Sequence, residues 1–241
     1  MCAKSAPKRE KEEMNNTPDY IVGYDRVLTK VDSPCLAGWE EAKDIEQLKA
    51  AANSRTPKDI EVGVKWVGGK ISNEVMKKVL GTIHAYPHRE TAYVLYYNPQ
   101  TRQFVVKCPE QGGFGAAVNF KDDGVPPEPG FATIGSIHTH PEMGAFWSST
   151  DMADQANRRG LHIVFGLRDG HVAFHLCSVF TLAGRYDQKL EDVMDPIDFA
   201  KDYPAVSEWR KIIDKGDFDK VFTKEEKEMR SRDLRRRGNI R

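Results

Sequence analysis

The stretch His138-Thr139-His140-Pro141-Glu142-Met143-Gly144-Ala145-Phe146-Trp147-Ser148-Ser149-Thr150-Asp151 decides how this chain is read. Residues two apart in a strand point to the same face, so His138 and His140 present two imidazoles side by side at a strand end. Asp151 follows eleven residues after His140, next to the helix-cap candidates Ser148, Ser149 and Thr150, where a loop can fold it back onto the histidines. Two histidines and one carboxylate, with a fourth position left for water, make the ligand set of a catalytic zinc; a structural zinc is usually closed by four protein ligands.

The chain on either side supplies the frame. Apolar Phe131 to His140 leads in as a strand, and Ser148 to Gly160 leads out as a helix. Leu161 to Leu167 and His171 to Phe180 read as two strands joined through Arg168-Asp169-Gly170, a hairpin signal. Upstream, Val75, Met76, Val79, Leu80 and Ile83 share one helical face over 72–84, with Ser72 as cap. Thr91 to Tyr97 and Gln103 to Lys107 flank the turn Asn98-Pro99-Gln100 and read as a hairpin. The Gly- and Pro-rich stretch 109–130 reads as a long surface loop. This order of elements implies an α/β domain built on a mixed sheet.

Further out the signals weaken. Residues 1–18 are polar and charged and read as a disordered tail. Residues 19–68 read as a small N-terminal region, with apolar stretches Tyr20 to Leu28 and Glu61 to Val67. Between them, Trp39, Ala42, Ile45 and Leu48 suggest a helix from Trp39 to about Ala52. Residues 186–241 read as a charged, helix-prone extension anchored by Trp209, Ile212, Ile213, Phe218, Val221 and Phe222; its end, 230–241, carries six arginines against one aspartate.

Within the 241 residues, 36 basic side chains balance 36 acidic ones, so the net field favours neither nucleic acid nor an anionic membrane. No apolar run is long enough for a membrane helix, and the N-terminus lacks the apolar core of a secretory signal. Cys2, Cys35, Cys108 and Cys177 are scattered and never paired as CxxC, which speaks against a disulfide framework or a cysteine zinc site and for a cytoplasmic setting.

A zinc amidase also needs a proton shuttle. Glu90 is the candidate: a single charge at the helix–strand junction before Thr91-Ala92-Tyr93. Ser148 is placed to donate a hydroxyl to a developing oxyanion. Phe146 and Trp147 stand beside that serine, and 143–147 with 109–130 are candidates to wall a substrate groove. His84 and His88 flank Glu90; His162, His171 and His175 read as packing or surface residues, and Glu142 as solvated.

The pattern HxHP, six residues, then SxxD, with a glutamate upstream, resembles the JAMM (MPN-plus) metallopeptidases. Gly135 before the first histidine and Gln155 after the aspartate are similar as well. The resemblance spans about 69–185. It implies an MPN-type mixed sheet flanked by helices, with cytidine-deaminase-like layering. It also implies one Zn2+ held by His138, His140 and Asp151, with Glu90 and Ser148 catalytic. The implied substrate is a ubiquitin-like protein or its conjugates, with E1-like and E2-like enzymes as further partners. Two alternatives stay open: release of a small molecule such as cysteine from a sulfur-carrier protein, and a non-catalytic scaffold. Trp147 stands where the family often has proline, and Tyr93-Val94-Leu95 where eukaryotic members often show glycine, so the resemblance leans to the bacterial branch.

Overall fold

The computed structural model describes residues 20–22, 27–32, 35–41, 62–114, 117–157, 159–181, 183–217 and 220–221. Two sheets and a hairpin carry the described residues. Strands β1 (Tyr20–Val22), β2 (Val27–Asp32), β3 (Leu36–Glu41) and β4 (Gly63–Trp66) form an antiparallel sheet in chain order. After helix α1 (Asn73–Ala85) come β5 (Ala92–Asn98), β6 (Gln103–Lys107), and the hairpin β7 (Glu110–Phe114) and β8 (Ala117–Lys121). Then follow β9 (Ala132–His140), α2 (Ser149–Asn157), β10 (Gly160–Arg168), β11 (His171–Phe180) and β12 (Arg185–Asp187), with α3 (Leu190–Val193) and α4 (Ser207–Lys215) last. The larger sheet has the order β12-β11-β10-β9-β5-β6. Among the described strands of this sheet only β9 and β10 run parallel, because α2 provides the crossover between them. The domain is therefore mixed α/β.

Strand β5 shows why the sheet is well cored. All seven of its residues are buried. Tyr93, Leu95 and Tyr97 enter the main core with Met76, Leu80 and Ile83 of α1, while Val94 and Tyr96 pack with Phe131 in a second cluster on the other face. A strand covered on both faces reads as a continuous apolar run, as this one does. Ser72 caps α1 by accepting from the Val75 amide at 3.4 Å, and the buried face is the one its periodicity indicates.

Two expectations are corrected. Trp39 does not open a helix: Leu36–Glu41 is a strand, in which Trp39 pairs with Lys30 on one side and Gly63 on the other. Three-residue apolar spacing over a short stretch lost to ladder pairing on both edges. The rest of that expected helix, and the tail 1–18, lie outside the described residues. The second correction concerns 109–130, which is not one long loop. Glu110–Phe114 and Ala117–Lys121 pair as the β7–β8 hairpin, and 122–130 is irregular. Gln111 anchors the hairpin to β5: its side chain accepts from the Ala92 amide at 2.9 Å and donates to the Ala92 carbonyl at 2.8 Å.

The small sheet is tied to the large one through Gln188. Its side chain accepts from the Trp66 amide and donates to the Val64 carbonyl, both at 2.9 Å. Cys108 and Cys177 are buried thiols, and Cys35 is half-buried. Burial pushes the Cys108 thiol up to about 12 and raises Cys177 as well, so neither is a ready nucleophile. No described helix is long and apolar enough to cross a membrane.

Candidate metal centre

The C-terminal end of β9 delivers the two histidines. Gly135, with φ of 149°, lets β9 run tightly against β10: a Cβ there would collide with the Leu161 carbonyl. The strand then places His138 and His140 on one face, with their Nε2 atoms 3.2 Å apart. Between them, Thr139 points the other way and locks the strand end to the start of β5. Its amide donates to the Thr91 carbonyl at 3.1 Å, and the Thr91 amide donates to its Oγ1 at 3.0 Å. That clasp also fixes Glu90, the residue before Thr91.

The loop 141–148 turns the chain over the end of the sheet. Gly166 of β10 makes this possible, since a Cβ there would strike the backbone of Met143, Gly144 and Ala145. The loop sets the Phe146 ring on His140, centroids 4.5 Å apart, and the Trp147 ring 6.4 Å from His138. Phe146 remains exposed.

Ser148 and Asp151 form a reciprocal capping pair at the start of α2. The Asp151 amide donates to Ser148 Oγ at 3.1 Å, and the Ser148 amide donates to Asp151 Oδ2 at 2.8 Å. This is the capping-box logic of a hydroxyl at the cap answered by an acidic side chain three residues on. It aims the carboxylate at the histidines: Asp151 Oδ1 lies 3.1 Å from His138 Nε2, and Oδ2 lies 3.6 Å from His140 Nε2. Glu90 completes the ring, its carboxylate oxygen and the two imidazole nitrogens all within 4.8 Å of one another. All five residues singled out in the sequence, Glu90, His138, His140, Ser148 and Asp151, thus meet in one place.

The electrostatics match the geometry. Glu90 is buried, and burial pushes its carboxyl from 4.5 up to about 7; the two histidines pull it down and Asp151 pushes it further up. Burial also works against the Asp151 carboxylate, but its contacts with His138, His140 and Ser148 outweigh that and hold it well below the carboxylate range. For His140 burial disfavours the charged ring, while the Asp151 bond and the Glu90 charge more than compensate and raise its pKa.

This donor set fits zinc. Zinc–nitrogen bonds of about 2.0–2.1 Å in a tetrahedron put two imidazole nitrogens roughly 3.3 Å apart, close to the observed 3.2 Å. Two imidazoles favour a borderline transition ion over magnesium or calcium.

Sequence reading missed the groups that seat Glu90. The Gly113 backbone lies against the Glu90 carbonyl, where a Cβ would collide. Arg89 donates from Nε to the Gly113 carbonyl at 2.7 Å and from Nη2 to the Gly216 carbonyl at 3.0 Å. The glycine pair 112–113 was the available signal, and Gly113 marks a close backbone approach rather than part of a surface loop. Gln155, fully buried four residues after Asp151, has both side-chain polar atoms unpartnered among the described residues. His162 is buried with Nδ1 3.0 Å from Ser136 Oγ, and His175 stacks on Phe199; neither belongs to the cluster. Glu142 is half-exposed, 3.8 Å from His88.

No family model matches the chain, and no curated protein does. Solved structures do overlap it. A JAB1/MPN domain protein from Archaeoglobus fulgidus matches at 19% identity and TM-score 0.34, over 52% of this chain and 99% of that one. A protein from Desulfitobacterium hafniense matches at 12% identity and TM-score 0.34, over 50% of this chain and 89% of that one. A protein from Salinibacter ruber matches at 14% identity and TM-score 0.32, over 56% and 98%. At those scores the functional reading rests on the residues themselves.

Proposed function

We propose that this chain is a JAMM-type zinc metallopeptidase that cleaves the amide or isopeptide bond after the C-terminus of a ubiquitin-like protein. One observation carries the reading. His138, His140 and Asp151 converge at ligand spacing, and a buried carboxylate with a near-neutral pKa stands beside them.

Bound there, zinc supplies a Lewis acid and a water acidified toward neutrality. The rest is done by the chain's own groups. Glu90 takes a proton from the attacking water and returns it to the leaving amine, a task suited to a carboxyl poised near 7. Ser148 Oγ already accepts from the Asp151 amide, which leaves its hydroxyl proton to donate to the oxyanion. Phe146 and Trp147 wall the approach beside the histidines. An extended substrate tail is the shape that reaches such a site, since only bare backbone is thin enough to pass between metal and base.

The complete ligand set favours this reading over a scaffold. The test is cleavage of a ubiquitin-like protein fused through its C-terminus to a reporter, run beside a carrier–cysteine adduct. Zinc-dependent cleavage of the fusion is expected. Turnover of the adduct alone would move the substrate class to sulfur carriers, and turnover of neither by the zinc-loaded chain would defeat the peptidase assignment.

A further inference from the structure

A second cluster forms where α1, the β10–β11 turn and the segment leading to α4 meet. His84 stands in the last turn of α1, His171 opens β11, and Asp202 lies in the segment before Ser207. One ligand atom from each lies within 4.8 Å of the other two. His84 Nδ1 is 3.9 Å from Asp202 Oδ1, and the two imidazole rings meet edge to face with centroids 4.8 Å apart.

The ring nitrogens are the unusual feature. The His84 side chain is only 7% exposed, yet both its nitrogens lack a hydrogen-bond partner among the described residues. His171 Nδ1 is in the same condition. A buried polar atom left unpaired carries its full desolvation cost, and one bare nitrogen from each ring can share a single partner. Burial, with help from nearby His171 and against Asp202, lowers the His84 pKa.

The backbone holds the three elements together at this point. Gly81, one turn before His84, packs against the Tyr203 and Pro204 carbonyls so closely that a Cβ would collide with both. The Val206 amide donates to Thr82 Oγ1 at 3.5 Å. Asp202 is thereby brought beside the histidines while its side chain stays largely exposed and free to swing toward them.

We propose that His84, His171 and Asp202 form a second metal site, which takes a borderline divalent cation such as zinc and clamps α1 and the β10–β11 turn to the segment before α4. Two imidazoles and one carboxylate select zinc-like ions over hard ones, and the remaining position is filled by water. The site is independent of the proposed peptidase centre and shares no residue with it.

The test uses the full chain, stripped with a chelator and titrated with Zn2+, with metal content and melting temperature as readouts. Wild type is expected to hold two zinc ions. His138→Ala/His140→Ala is expected to hold one and still melt higher with zinc than without. Adding His171→Asn to that variant should remove the ion and the shift, and adding Asp202→Asn instead should weaken binding at least tenfold. Should the double alanine variant not fold, His171→Asn in the wild-type background must lower zinc from two per chain to one. A wild type with one zinc that survives His171→Asn overturns the proposal. One zinc that disappears with His171→Asn upholds it and instead removes the metal from the His138 centre.

Discussion

In the His138 cluster the carboxylate is tied to a backbone amide before any metal arrives, whereas in the His84 cluster it is a mostly exposed side chain. Asp151 is held by the Ser148 amide, and the histidine-bearing strand end is clasped by Thr91. His84 and His171 are held by α1 and β11, but Asp202 is a mostly exposed side chain on an irregular segment. A pre-organised set spends less on ordering when it binds, so the first site should hold its ion the more tightly and tolerate the less movement.

The largest effect that would break this contrast comes from Asp151→Ala. It removes a proposed ligand and half of the capping pair together. Zinc at the His138 centre and all cleavage should be lost while the second ion stays, as counted by metal analysis; normal turnover would show that Asp151 is no ligand. Next comes Glu90→Gln. Zinc content should hold and cleavage should drop by roughly two orders of magnitude or more; wild-type turnover would mean another group moves the proton. Ser148→Ala should slow cleavage by about 10²-fold and cost about 1 kcal/mol of stability through the lost cap. A variant that loses stability alone would confine Ser148 to capping.

The smallest effect needs no metal. Glu90 has its folded pKa raised from 4.5 to about 7, so its full contribution to stability is present below pH 4.5 and is lost as pH rises through 7. Metal-free Glu90→Gln escapes that loss. It should match metal-free wild type near pH 4 and exceed it above pH 8 by on the order of 3 kcal/mol. Denaturant unfolding at the two pH values reads the difference directly, and an equal gap at both would show that Glu90 is not held in a desolvated place.

The two clusters also explain what was legible in the sequence. His138, His140, Ser148 and Asp151 fall in a single run whose spacing is set by strand period and helix capping, so local rules expose them. Positions 84, 171 and 202 share no spacing; the packing of Gly81 on Tyr203 and Pro204 brings them together, while in the sequence His84 only flanks Glu90 and His171 reads as a packing or surface residue. The same division runs through the fold. α1, β5 and β6, β9, and β10 and β11 announce themselves by period. The β7–β8 hairpin was hidden because Gly112 and Gly113 look like loop formers, when the latter serves an approach to the Glu90 carbonyl made from 23 residues away in sequence. Trp39 was misread because three-residue spacing over a short stretch cannot outvote strand partners that lie far off in the chain.

The Ser148–Asp151 exchange makes the opening turn of α2 a gauge of the centre it borders. Fraying that turn releases the Asp151 amide and its carboxylate in one event, because each is held by the other residue of the pair. Backbone amide exchange at Asp151 should therefore slow sharply when zinc is added, and the slowing should measure how firmly the ion is gripped without any substrate being present.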